Sequence, residues 1–449
     1  MTPKGLGWII VDALDTLMIM NLTTELSHAR EWVTNSLDYD QDHDVNTFET
    51  TIRMLGGLLS AHYLSKTFPD MAPLPAVKGS DDLYLEKASD LADKLLSAYE
   101  SPSGIPYASV NLHQMKGIVS HADGGASSTA EATTLQLEMK YLAKLTGEEL
   151  YWQKAENVMK IVDDNGAQDG LVPIFIYADG PNAGHFRENN IRLGSRGDSY
   201  YEYLIKQYLQ TNKQEAVYLE MWDQALSGVR KHLITYSTPS NLTVLGERPW
   251  GLSGDISPKM DHLVCFMPGT IALGATGGLT LAEAKKAGNW GKKEERDMKL
   301  AEELMKTCYG MYKATATGLA AEITYFHIDK PPKMASFYPE GTLQSPEIEG
   351  DAGDETWRQD FDIHAADTHN LQRPETVESL LYMWRITKDE KYRQWGWEIF
   401  EAFVKYEMLE DGAGFSSIGD VTKIPPPSRD NMESFWLVST NFSSLNSED

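Results

Sequence analysis

Cysteine is almost missing from this chain: Cys265 and Cys308 are the two in 449 residues. So sparse a count excludes a disulfide scaffold and leaves either one bridge, formed in an oxidising compartment, or two buried thiols. A bridge would close a loop of about 44 residues and contribute roughly 4 kcal/mol through chain entropy. Positive charge is also short. Lys and Arg number 40 against 66 Asp and Glu, a formal net charge of −26. That balance excludes nucleic acid, whose phosphates need a basic face, and disfavours anionic membrane surfaces. A neutral or cationic ligand, or a metal ion, fits it, while acidity alone also serves solubility. The first apolar stretch, Gly5 to Met20, is broken by Asp12 and Asp15, so it is neither a membrane span nor a signal-peptide core. Phosphate-binding loop, dinucleotide fingerprint, nucleophile elbow and HExxH are all absent. The glycosylation patterns at Asn21, Asn241 and Asn441 are about as frequent as chance allows and say little about secretion.

What the chain does have is a repeat. Tyr84-Leu-Glu-Lys-Ala88, Tyr151-Trp-Gln-Lys-Ala155 and Tyr218-Leu-Glu-Met-Trp222 follow one another at even intervals of 67 residues, and a fourth copy begins at Tyr392 with Gly396. Acidic or amide residues precede each tyrosine, as the first turn of a helix prefers. The interval suits two helices plus a functional loop. Length alone suggests about three domains; the repeat argues for one closed domain of helical hairpins. Composition, 41% hydrophobic and 24% charged, supplies a large core.

Four acidic residues, Glu49, Glu131, Asp198 and Glu375, lie near the starts of the first helices of these hairpins. If the hairpins close into a ring, the starts gather at one mouth, and clustered carboxylates there suit acid–base chemistry on a neutral polar substrate. Val45 to Ser65 reads as a helix with Ile52, Leu55, Leu58, Leu59 and Tyr63 on one face. Asn46 is its N-cap, with Glu49 in a capping-box place and Arg53 one turn on for an ion pair. Residues 102–129 and 177–197 read as functional loops. Glu131 and Glu138 lie on a helix from Thr129 to Thr146. Asp198 opens the helix Ser199 to Gln210 and by itself fits an N-cap. His262 follows Asp261; a lone histidine there is commonly a core residue. The long irregular stretch from Thr324 to Asn370 carries Asp362-Ile-His364 and Asp367-Thr-His369, which look like metal ligands but match no zinc spacing. Arg373-Pro374-Glu375 opens a further helix, and Glu375 with Glu378 puts like charges on one face, which costs stability and points to function.

Five motifs then carry a resemblance: Val11-Asp-Ala-Leu-Asp-Thr-Leu17, Val45-Asn-Thr-Phe-Glu49-Thr-Thr-Ile-Arg53, Gly197-Asp198-Ser-Tyr-Tyr-Glu-Tyr203, His262-Leu-Val-Cys265-Phe and Arg373-Pro-Glu375-Thr-Val-Glu378-Ser. They resemble, in order and from about Leu6 to Leu437, the class I α-1,2-mannosidases of glycoside hydrolase family 47, within it most the fungal endoplasmic-reticulum enzymes. The resemblance implies an all-α (αα)7 barrel, an inverting mechanism, a calcium ion, and terminal α-1,2-linked mannose of high-mannose N-glycans as substrate. It makes Glu49 the general acid, Asp198 a second acid/base candidate and Glu375 the base that activates water. Arg53, Glu131, Arg196, His262, Arg373, Glu378 and Phe435 become pocket residues, and Cys265 and Cys308 a disulfide. Inversion requires acid and base roughly 6.5–9.5 Å apart across the sugar. A protonated acid near neutral pH requires burial or a neighbouring carboxylate. A cluster this acidic suits calcium and its waters.

The ends depart from the family. The additional first helix and the membrane anchor are absent before Gly5. The domain is read as residues 1–437, truncated at both ends, with 438–449 a divergent, disordered polar tail. Ser439 stands where the family has a pocket glutamate, and the threonine ligand of calcium is absent, so no metal ligand is assigned in this chain. Val438-Ser439 is what a splice donor read in frame would encode, which suggests translated intron. The expectation is weak calcium binding, an incompletely closed barrel and low hydrolysis. The reading is of a monomeric, secretory-pathway glycosidase of the endoplasmic reticulum or Golgi lumen, membrane-anchored in its full-length form. Its rivals are a non-catalytic glycan-binding protein of glycoprotein degradation and another helical-ring hydrolase or cyclase.

Overall fold

The computed structural model describes residues 5–69, 82–288, 290–348 and 355–436. Asn441, Ser439 and the tail 438–449 therefore lie outside the described residues. The chain divides into two compact units, Met1–Ala167 with Val172–Asn189, and Gln168–Leu171 with Asn190–Asp449.

The first unit runs α1 (Leu14–Ile19), α2 (Thr23–Asn35), β1 (Asp44–Asn46), α3 (Gly56–Thr67), α4 (Leu83–Leu95), β2 (Ser109–Asn111), β3 (Lys116–Ile118), β4 (Ala126–Ser128), α5 (Gln136–Thr146), α6 (Glu149–Asp164) and β5 (Phe175–Tyr177). Helices α3 and α4, then α5 and α6, pack as hairpins, and α3 also meets α5. The second unit runs α7 (Asp198–Gln210), α8 (Ala216–His232), β6 (Ile234–Tyr236), β7 (Thr243–Leu245), β8 (Lys259–Asp261), α9 (Met267–Thr276), α10 (Lys292–Lys313), β9 (Ile323–Phe326), β10 (Phe361–Asp362), α11 (Glu375–Thr387) and α12 (Lys391–Tyr406). Pairs α7–α8, α9–α10 and α11–α12 pack together, and α9 lies against both α7 and α11. Residues 262–286 are apolar enough for their length to pass as a membrane span, but α9 within them is largely buried against α10 and α11, as a core helix is.

The repeat is physical. Tyr84, Tyr151, Tyr218 and Tyr392 are all buried near the starts of the second helices α4, α6, α8 and α12, and Ala88, Ala155, Trp222 and Gly396, four residues on, are buried on the same faces. Tyrosine and the residue one turn later share the buried face of each outer helix, and Tyr151 uses its hydroxyl to bond Asp93 of α4 at 2.6 Å.

Local departures have local causes. The helix expected from Val45 begins instead at Thr47, because Val45 and Asn46 pair with Val110 and Ser109 in an antiparallel ladder. Its Thr50–Leu55 turn is π-helical. A π turn inserts a residue and rotates later positions by about 100°. Leu55, Leu58 and Leu59 are buried, whereas Tyr63, expected on the same face, is 45% exposed. The helix expected over 129–146 breaks at 133–135. Thr133 and Thr134 donate their hydroxyls to the carbonyls of Thr129 and Ala130, a competition that loosens helices. Residues 102–129, read as loop, carry β2, β3 and β4. Asp198 is the first residue of α7 rather than its cap; Gly197 takes the cap position without a side-chain bond, so the carboxyl is not spent on capping.

Candidate active site

In the first unit, β1 delivers Asn46 and the turn after it delivers Glu49. Asn46 does two things at once. Its Oδ1 accepts from the Glu49 backbone N–H at 2.7 Å, and its Nδ2 donates to Glu131 Oε2 at 3.2 Å. Ser128, closing β4, caps the turn that carries Glu131. Arg53 Nε donates to Glu49 Oε2 at 2.6 Å, and its guanidinium lies 3.9 Å from buried Asp12. Glu49, Arg53 and Glu131, named separately in the sequence, thus form one polar group around Asn46, which sequence reasoning recognised only as a cap.

In the second unit, the N-termini of α7 and α11 supply Asp198, Glu375 and Glu378. The loop before α7 is fixed by Asp261, whose Oδ2 accepts from Ser195 N at 3.0 Å. Gly194 is required there, since a Cβ would sit 2.3 Å from that oxygen. Arg196 lies in this loop in the left-handed region, φ 74°. Burial pushes the Asp198 carboxyl up to about 7, and the charges of Glu202, Glu375 and Asp261 add to it against the Ser199 backbone bond.

Glu375 is shifted the opposite way. Burial would raise it, but the hydrogen bond and charge of His262, with the charge of Arg373, win and hold it below the usual carboxylate range. His262 Nδ1 lies 3.0 Å from Glu375 Oε2 and its Nε2 lies 2.6 Å from the Tyr312 hydroxyl. An ionised carboxylate only accepts, so Nδ1 carries a proton. Burial keeps the Tyr312 phenol protonated. Arg373 is locked on Glu322 through Nε and Nη2, at 2.7–3.0 Å, and its guanidinium covers the Phe435 ring, 5.8 Å from the centroid. Burial raises Glu378 to about 6 against the opposing charge of Lys206, which lies 3.1 Å away. Lys206 also pairs with Glu202.

Of the residues expected at the site, the structure joins Glu49, Arg53 and Glu131 in one group and Asp198, His262, Arg373, Glu375, Glu378 and Phe435 in another. Sequence reasoning missed Glu202 and Lys206, although Asp198, Glu202 and Lys206 stand four apart along one face of α7. It also missed Glu322 and Tyr312, which no spacing announces. Cys265 and Cys308 form a disulfide with S–S 2.09 Å. It ties the segment three residues after His262 to α10 one turn before Tyr312, so it pins both partners of their hydrogen bond.

His364 bonds Asp362 at 3.2 Å and stacks on Tyr325. Among the described residues no group of three or more His, Cys, Asp or Glu side chains is placed to hold a metal ion. Calcium takes six to eight oxygen ligands, waters and backbone carbonyls among them.

Solved structures give the class. The alpha-1,2-mannosidase from Trichoderma reesei superposes with a TM-score of 0.81 at 26% identity, covering 99% of this chain and 86% of that one. The fold class is all-α, the helical (αα)7 barrel type. The chain is 53% identical over 448 residues to the mannosyl-oligosaccharide 1,2-alpha-mannosidase of Candida albicans, covering 98% of this chain and 72% of that protein. It is 44% identical over 464 residues to the endoplasmic reticulum mannosyl-oligosaccharide 1,2-alpha-mannosidase of Saccharomyces cerevisiae, with coverages of 98% and 78%. The family model for glycosyl hydrolase family 47 matches residues 1–441, and the chain belongs to that family.

Proposed function

We propose that this chain is an inverting glycosidase that removes terminal α-1,2-linked mannose from high-mannose N-glycans. The observation that carries this reading is two buried carboxyls in opposite surroundings: Glu375 bonded by His262 at 3.0 Å and held low, Asp198 beside the charges of Glu202, Glu375 and Asp261 and held high. Environments that push paired acids apart assign proton donor and acceptor. Asp198, protonated, gives its proton to the glycosidic oxygen as the bond to the anomeric carbon breaks. Glu375, ionised and oriented by His262, takes a proton from the water that attacks that carbon from the other face, and the configuration inverts. Arg373, neutralised by Glu322, and Glu378, held by Lys206, hold hydroxyls without adding net charge. Glu49, the acid implied by the resemblance, is held by Arg53 at 2.6 Å, which suits a fixed acceptor of sugar hydroxyls. In this reading the donor is Asp198, with Arg196 holding hydroxyls in the same unit, while Glu49 and Glu131 accept hydroxyls in the first unit.

The names of the relatives place those proteins in the endoplasmic reticulum, and we extend that compartment, a lumenal location, a monomeric state and a membrane-anchored full-length form to this chain. The Cys265–Cys308 bridge supports an oxidising lumen. The test is incubation with a high-mannose oligosaccharide, with and without calcium chelator, while NMR follows free mannose. β-Mannose appearing first supports the reading. α-Mannose first rejects the Asp198/Glu375 arrangement, and capture of the glycan with no release replaces the enzyme by a lectin.

A further inference from the structure

The strand that carries Asn46 has a polar face that continues away from Glu49. In the sheet β1–β2–β3, Asn46 stands opposite Ser109 and Ser109 opposite Ile118; one step further along, Asp44 stands opposite Asn111 and Asn111 opposite Lys116. Residues two apart on a strand share a face, so both rows lie on one surface, while Val45 and Val110 between them are buried. Beyond Asn46 that surface opens into a hollow of about 510 Å³, lined by Asp42, Asp44, Asn111, Gln114, Lys116 and Ile118 among others.

Its polar groups are ordered by a single residue. Asn111 is 6% exposed. Its Nδ2 donates to Asp42 Oδ1 at 2.9 Å and to Asp44 Oδ1 at 2.8 Å, and its Oδ1 accepts from Gln114 N at 2.9 Å. Gln114 Nε2 reaches Asp42 Oδ1 at 3.2 Å. An amide thus occupies the position between the carboxylates that a cation would need, which argues against a metal. The two carboxylates argue against an anion. Acceptors (Asp42, Asp44) beside donors (Gln114 amide, Lys116 ammonium) over an apolar patch from Ile118 suit a ligand whose groups both donate and accept, and sugar hydroxyls do so. Asp44 lies two residues from Asn46, about 7 Å along the strand, roughly the step from one sugar to the next.

We propose that this hollow is an accessory subsite that holds a neutral oligosaccharide arm extending from the mannose bound at Glu49 and Glu131. The proposal rests on the glycosidase reading above and adds to it where the rest of the glycan lies. A disaccharide does not reach the hollow; a branched high-mannose oligosaccharide does.

The test compares the full chain with Asp44→Ala and Lys116→Ala on two substrates, a high-mannose oligosaccharide and α-1,2-mannobiose. Loss of one or two hydroxyl bonds should raise KM for the oligosaccharide about five- to tenfold, with kcat and all mannobiose kinetics within about twofold of wild type. Lys116 is exposed and makes no ion pair among the described residues, so its variant folds even if the Asp44 one does not. Unchanged KM for the oligosaccharide in both variants overturns the proposal. So does an equal loss on both substrates, which would mark a disturbance passed through Asn46 to Glu49. Titration with calcium and magnesium chlorides that shows cation binding abolished by Asp44→Ala, with KM unmoved, overturns it in favour of a metal. If wild type releases mannose from neither substrate, the glycosidase reading fails instead; calorimetry of oligosaccharide binding then decides the subsite, a Kd raised by both variants supporting it and an unmoved Kd overturning it.

Discussion

Asp198 and Glu375 both sit in first turns of helices and both are acids, yet their surroundings give them opposite proton affinities. Replacing Asp198 by Asn should lower kcat by about 10²–10⁴-fold, the range for loss of a general acid or base, with KM little changed; steady-state kinetics on the oligosaccharide checks this. The wild-type rate should fall as pH rises through about 7, where Asp198 loses its proton, and also in acid, where Glu375 gains one. The Asp198→Asn enzyme should lose the upper limb. Stability should also fall as pH rises. The folded Asp198 keeps a proton that the unfolded chain releases near its ordinary value of 3.8, so its contribution to stability declines between that pH and about 7. Thermal melts of Asp198→Asn should therefore exceed wild type more at pH 8 than at pH 5.

Glu407 makes a cleaner case of the same sign, because no chemistry is assigned to it. It is 1% exposed at the end of α12, and burial pushes its carboxyl to about 9 against the opposing influence of the Gln372 side chain. Between its ordinary value of 4.5 and that pH, the folded state must hold a proton that the unfolded state gives up. Glu407→Gln should leave kcat unchanged and add stability that grows with pH over that window, on the order of a kcal/mol per pH unit. Equal melting temperatures at pH 5 and pH 8, relative to wild type, would refute it. None of these displacements was legible in the sequence. Acid identity is local, whereas proton affinity depends on charges brought in from distant positions, such as His262 and Arg373 for Glu375.

At the scale of elements, the disulfide and β1 are the two parts whose loss has defined consequences. Cys265 precedes α9 and Cys308 lies within α10, and the bridge holds His262 beside Tyr312. Replacing both cysteines by serine should cost about 2–5 kcal/mol, as loss of a native bridge usually does, and should reduce kcat more than it raises KM because Glu375 loses its oriented imidazole. Denaturant melts and kinetics on the same samples separate the two effects. Asn46→Ala removes a cap worth about 1 kcal/mol and the amide bond to Glu131, so KM should rise while Asn46→Asp, which keeps the cap, restores stability but not KM. The hairpins and their outer helices were readable from the tyrosine register, because a helix buries what recurs along one face. The π turn after Glu49, the break at Thr133 and Thr134, and the strands within 102–129 were not. The strands arise where backbone groups pair with distant segments, and the break where two threonine hydroxyls bond carbonyls one turn back.

Across the whole molecule, the net charge of −26 acts on partners rather than on the fold. A neutral glycan feels little of that field, so kcat/KM should change by less than about twofold between low and high salt, since screening acts on charged encounters. A steep salt dependence would mean a charged substrate. The amino-acid order by itself determined the all-α hairpin architecture and the positions of the acids, through helical periodicity; the cysteine bridge it left open except as the resemblance implied it. It determined Glu49, Glu131, Asp198 and Glu375 as candidates because first-turn acids are visible in one dimension. Only the tertiary structure sets Glu375 against His262, buries Asp198, and brings Lys206, Glu202, Glu322 and Tyr312 to them. The reason is that desolvation and Coulomb interaction depend on distances through space, and those distances exist only once helices far apart in the chain have packed.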